Sequence, residues 1–101
     1  MDAFTRISAQ RAHEIIESSD VTIVDVRDAD SFAQEHIPKA NSLNDGNIDA
    51  FLADTDKEKP LICYCYRGIS SQRAAAFFAD RGFKKVYSID GGWEDWKKIY
   101  A

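Results

Sequence analysis

Short apolar runs alternate along this chain with longer stretches whose apolar residues recur every three or four positions. Val21-Thr22-Ile23-Val24, Pro60-Leu61-Ile62-Cys63-Tyr64 and Lys85 to Ile89 have the length and character of buried strands. Ala40 to Leu43 reads as a briefer one. Between them lie helical patterns. Ser8 is placed to cap a helix over Ala9 to Ser18, with Ala12, Ile15 and Ile16 on one face. Asp28 or Asp30 is placed to cap a short helix holding Phe32, with Pro38 as its stop. Asp45-Gly46-Asn47 leads into a helix with Ile48, Phe51 and Leu52 inward. Ser71 to Arg81 has high helix propensity, and Gly82 follows as a C′ stop. Asp90-Gly91-Gly92 opens a last helix, Trp93 to Tyr100, whose Trp93, Trp96 and Tyr100 form a core-facing stripe. This alternation predicts an α/β fold, a mainly parallel central sheet with helices on both faces. Ligands of such sheets bind beyond the carboxyl ends of the strands.

Composition narrows the class. The 101 residues predict one domain over 1–101, and 45% hydrophobic with 30% charged residues is ordinary for a globular protein. Thirteen basic and seventeen acidic residues give a net charge of −4, a field that recruits neither nucleic acid nor an anionic membrane. No apolar stretch approaches the roughly 18 residues of a membrane span, and Asp2, Arg6 and Gln10 interrupt the N-terminus. The expectation is a cytoplasmic protein with both cysteines free. Cys63 and Cys65 are also too close in one extended strand to bridge without strain. Asp54 to Lys59 reads as a solvated, charged loop.

Candidate chemistry centres on Cys65-Tyr66-Arg67-Gly68-Ile69-Ser70-Ser71. Cys65 falls between the end of a strand and the start of a helix, where free N–H groups and the helix dipole favour an anion. A thiol there ionises readily, and the thiolate is the reactive form. The N–H groups of Tyr66 to Ser71 are able to form a nest for negative sulfur. Arg67 is the one formal cation of the loop, Gly68 permits its tight turn, and Ser70 or Ser71 is placed to cap the helix that follows and to hydrogen-bond to the loop. Cys63 is expected to be core. Asp25 and Arg27 flank one strand end, where an ion pair or hydrogen bonds that hold the loop are expected rather than a catalytic role.

Asp25-Val26-Arg27, Phe32 with His36-Ile37-Pro38-Lys39-Ala40, the Cys65 loop, and Tyr87-Ser88-Ile89-Asp90-Gly91-Gly92 with Trp96 occur in an order and register that resembles the rhodanese domain. The likeness is greatest to single-domain thiosulfate sulfurtransferases of the GlpE type and runs from about Phe4 to Tyr100. It implies a rhodanese fold, a persulfide carried on Cys65, and a substrate-binding loop over Tyr66, Arg67, Gly68, Ile69, Ser70 and Ser71. Asp25 and Arg27 are implied as loop support and His36 as a turn-stabilising residue. The implied reaction moves the sulfane sulfur of thiosulfate to cyanide, a small thiol or a thioredoxin-like acceptor in two ping-pong steps. No cofactor and no metal is called for. The alternative within the same fold is a relay or binding module that passes persulfide sulfur between proteins. Ser70 stands where many relatives have Arg, which implies weaker thiosulfate affinity. Ile69 is apolar where a small polar residue is usual, and Glu35 and Lys39 replace common glycines. Arg67 favours thiosulfate over 3-mercaptopyruvate.

Rival chemistries fit poorly. A cysteine phosphatase needs Arg six positions after its Cys; here that position is Ser71, and the next Arg is Arg73. A metal site on Cys63 and Cys65 would have to draw on His13 and His36, in distant segments. A thioredoxin-like redox pair needs two intervening residues, and this chain has one.

Overall fold

The computed structural model describes residues 3–101. Five strands, β1 (Thr5–Ile7), β2 (Thr22–Asp25), β3 (Asn41–Ser42), β4 (Leu61–Tyr64) and β5 (Val86–Ile89), form one sheet in the order β1-β5-β4-β2-β3. Every pairing is parallel. Helices α1 (Ala9–Ser18), α2 (Ala29–Gln34), α3 (Ile48–Asp54), α4 (Ser70–Asp80) and α5 (Gly92–Tyr100) make the connections.

The central strand explains the layering. Successive side chains of β4 point to opposite faces. Ile62 and Tyr64 enter one cluster with Ala12, Ile15, Trp93 and Trp96 of α1 and α5. Leu61 and Cys63 enter the other, with Ala75 and Phe78 of α4 and Phe83. Both faces are covered, so all four residues are buried and the strand reads as a continuous apolar run. Burial of a side chain such as Ile62 or Phe78 contributes about 1.5–3 kcal/mol. Because β4 lies at the middle of the sheet, its carboxyl end opens at the centre of one rim.

Local signals account for most boundaries. The Ser8 hydroxyl accepts from the Arg11 amide at 3.1 Å, and the Asp28 carboxylate accepts from the Ser31 amide at 3.0 Å, so both act as N-caps. Four expectations need correction. β1 was not anticipated: it is three residues long, and Thr5 and Arg6 are exposed, so it carries no buried apolar run. Helix α2 ends at Gln34 with Glu35 as C-cap, four residues before Pro38 on the chain, so Pro38 is not its stop. Tyr100 is 37% exposed and stacks on His13 at 4.1 Å between ring centroids, whereas Trp93 and Trp96 are core as expected. Helix α4 starts at Ser70 with Ile69 as N-cap, and no side chain caps it. Ser70 is exposed and Ser71 has turned inward, for a reason found at the site itself. Lys39 adopts a positive φ of 72°, the conformation that glycine takes without strain.

Candidate active site

Cys65 follows β4 directly and is 4% exposed. Its Sγ accepts the amides of Gly68 at 3.1 Å and Ser71 at 3.3 Å and lies 3.4 Å from the Ser71 hydroxyl. The Ser71 amide belongs to the first turn of α4, whose leading N–H groups have no partner inside the helix. Here one of them is spent on sulfur. The Ser71 hydroxyl in turn lies 2.8 Å from that of Ser88, buried on β5. A hydroxyl rotates to suit its partners, so Ser71 can donate to a thiolate while accepting from Ser88. That inward pull explains why Ser71 does not cap its own helix.

Two forces compete over the thiol. Burial pushes Cys65 up. The Ser71 hydroxyl and the amides of Ser71, Gly68 and Arg67 more than reverse it, and the group ionises below its ordinary value.

The inward aim of these amides has a cause outside the loop. The first-turn amide of Trp93 donates to the Cys65 carbonyl at 2.8 Å, and that of Glu94 to the Tyr66 carbonyl at 3.0 Å. In a planar trans peptide the N–H points opposite to the C=O. Holding the Tyr66 carbonyl towards α5 therefore turns the Arg67 N–H towards sulfur. This requires the backbones to touch. A Cβ on Gly92 would stand 2.8 Å from the Tyr66 carbonyl carbon and 2.9 Å from the Arg67 nitrogen, and one on Gly68 2.7 Å from the Ile89 oxygen. Gly68 and Gly92 also have positive φ, of 86° and 52°. Gln72 completes the frame by donating from Nε2 to the Gly68 carbonyl at 2.8 Å.

With the main chain facing in, the loop's long side chains face out. Tyr66 is 44% and Ile69 74% exposed. Arg67 and Ser70 are exposed too. Glu94 is lowered from its ordinary value by its bond to Lys97 and, more weakly, by the positive charge of Arg67.

Asp25 and Arg27 form a buried ion pair, with Arg27 Nη2 2.8 Å from Asp25 Oδ2 and the Arg27 amide 2.8 Å from Oδ1. The guanidinium also donates to the Glu35 carbonyl at 2.6 Å and lies 4.8 Å from the Trp93 ring centroid and 5.7 Å from that of Tyr66. It thereby lies over both Trp93, at the start of α5, and Tyr66 of the Cys65 loop. His36 lies away from the sulfur: Nδ1 is 2.7 Å from the Phe32 carbonyl and its ring stacks on Phe32. His13 lies on α1 beside Trp96. Ser88 enters the sequence only as part of a motif, with no role of its own, although a Ser inside the apolar run Val86 to Ile89 is a signal for one. The long-range partners of Tyr66 had no such signal.

Residues 8–99 match the family described as Rhodanese-like domain. The chain belongs to that family. Among rhodanese-like proteins, it is 45% identical over 94 residues to "Thiosulfate sulfurtransferase GlpE" of Coxiella burnetii, covering 93% of this chain and 88% of the relative. The protein of that name from Shewanella oneidensis is 41% identical over 101 residues, the full length of both. A rhodanese-like domain protein from Staphylococcus aureus superposes with a TM-score of 0.79 at 26% identity, over 92% of this chain and 91% of that one. The α/β architecture with its parallel sheet is thus the rhodanese-like fold.

Proposed function

We propose that this chain is a thiosulfate sulfurtransferase that works through a persulfide on Cys65, as one rhodanese-like unit over its 101 residues. The observation that carries the reading is the ring of N–H groups about Cys65 Sγ, with Gly68 at 3.1 Å and Ser71 at 3.3 Å. The thiolate attacks the outer sulfur of thiosulfate, a new S–S bond forms, and the old one breaks with its electron pair leaving on sulfite. The amides that held the thiolate then face the persulfide, whose terminal sulfur is also anionic. Cyanide or a thiol attacks that terminal sulfur, leaves as thiocyanate or a new persulfide, and returns the Cys65 thiolate. Arg67 supplies a positive charge at the rim against the net −4 of the chain. Asp25 and Arg27 act by holding α5 and Tyr66 in place. The relatives named for thiosulfate sulfurtransferase activity support the donor. Two free cysteines suit a reducing compartment, and the cytoplasm is the location proposed.

A persulfide relay between proteins is the second reading. Ile69, 74% exposed at the rim, favours it, because an apolar side chain there does nothing for a small dianion.

Intact-mass analysis after incubation with thiosulfate tests the mechanism. A gain of one sulfur, removed by cyanide and absent in Cys65→Ser, is the expected result. An unmodified wild-type chain, or a modified Cys65→Ser, would overturn it. Comparing turnover with cyanide against transfer from a protein persulfide separates the enzyme from the relay.

A further inference from the structure

The Tyr66 side chain leaves the loop sideways and reaches helix α2, far away in sequence. Its phenol donates to Asp28 Oδ1, and Ser31 Oγ lies 2.5 Å from the phenol oxygen. Asp28 already has a complete role as N-cap: it accepts from the Ser31 amide at 3.0 Å and the Ser31 hydroxyl at 2.9 Å. A helix cap needs no third donor from 38 residues away. Nor does an exposed phenol need a protein partner, since water satisfies it. The arrangement instead fixes the Tyr66 ring at two places, by Asp28 at the hydroxyl and by the Arg27 guanidinium 5.7 Å from its centroid.

We propose that Asp28 is a positioning residue of the sulfur-transfer site: it pins the Tyr66 side chain, next to Cys65 in the loop, and so orders the rim before the donor arrives. The proposal rests on the sulfurtransferase reading above. Freed, the Tyr66 side chain would have to be ordered on binding, a cost that falls on donor affinity. The Tyr66 phenol first, then the Ser31 amide and hydroxyl, hold the Asp28 carboxyl down to about 2, so the pin is charged near neutral pH.

Steady-state kinetics with thiosulfate and cyanide, alongside thermal melts, test this in Tyr66→Phe, Asp28→Ala, Asp28→Asn and the Tyr66→Phe/Asp28→Ala double variant. Tyr66→Phe leaves the cap intact and removes only the pin. Its KM for thiosulfate is expected to rise about 3- to 10-fold, by more than kcat falls. Asp28→Ala should raise KM equally, the double variant no further, and Asp28→Asn, which keeps an acceptor, should stay within about twofold of wild type. Wild-type KM in Tyr66→Phe, or single effects that multiply in the double, would overturn the pin while leaving the sulfurtransferase reading intact. Lower melting of Asp28→Ala with unchanged KM would do the same, by showing a cap alone. A wild-type chain inactive towards thiosulfate would overturn both.

Discussion

Cys63 and Cys65 stand two residues apart, are both nearly sealed from solvent at 0% and 4% exposure, and are driven in opposite directions. Burial raises Cys63 well above the ordinary thiol value, and the neighbouring charge of Cys65 adds to this. Cys63 packs among Val24, Leu61, Ala75 and Phe78, whose side chains offer sulfur no donor. Burial acts on Cys65 in the same sense but loses to the Ser71 hydroxyl and three amides. Exposure therefore does not distinguish a structural cysteine from a reactive one. What distinguishes them is where the surrounding N–H groups point.

The contrast is broken most severely by exchanging the sulfurs. Cys65→Ser is expected to lose all measurable sulfur transfer and keep its fold. Cys63→Ala should keep turnover within about twofold while losing about 1–2 kcal/mol in urea unfolding. Comparable activity losses in the two variants would show that the amide ring does not single out Cys65.

Next in size is the frame that aims the ring. Gly92→Ala drives a methyl into the backbone of Tyr66 and Arg67. Turnover should fall about 100-fold, measured on protein shown by circular dichroism to be folded. Full activity would mean that α5 does not set the direction of the loop amides.

A smaller effect is expected from Ser71→Ala, which removes the hydroxyl at 3.4 Å but keeps the amide at 3.3 Å. The pH profile of Cys65 alkylation by iodoacetamide should move its midpoint upward. Turnover near neutrality should drop about tenfold. An unmoved midpoint would assign the ionisation to main chain alone.

The smallest effect appears in alkaline stability, where the two thiols have opposite signs. The folded Cys65 ionises below its unfolded value, so its contribution is fully present above the unfolded thiol range and is lost as pH falls through the folded value. Cys63 keeps its proton after the unfolded chain has released it, so it costs stability as pH rises beyond that range. Urea unfolding of Cys63→Ala should therefore lose less stability than wild type between neutral and alkaline pH. A steeper loss would reverse the assignment.

Much of this was legible because it is local. Leu61 to Tyr64 was readable as a strand from four consecutive apolar side chains, and Ser8 as a cap from its place before a periodic stretch. The position of Cys65, between strand and helix, followed from the same pattern. Thr5–Ile7 was not readable, because an edge strand with Thr5 and Arg6 exposed has no apolar period, and its pairing with β5 lies more than eighty residues away. Ser70 or Ser71 reads as a cap that also bonds the loop; Ser71 does bond the loop, but no side chain caps the helix. Sulfur on one side and Ser88 on the other drew Ser71 inward.

The amino-acid order alone thus determined the alternation of elements, the burial of the central strand, and the placing of one thiol at a strand's end. That this thiol ionises readily was expected from its place before a helix; only the tertiary structure decided which groups outweigh its burial. The direction of the Arg67 N–H depends on a carbonyl held by Glu94, and the setting of Tyr66 on a carboxylate at Asp28. Sequence spacing encodes which side chains share a face, because that follows from helix and strand periods. It does not encode which peptide planes meet across the fold, and those planes carry the electrostatics of the site.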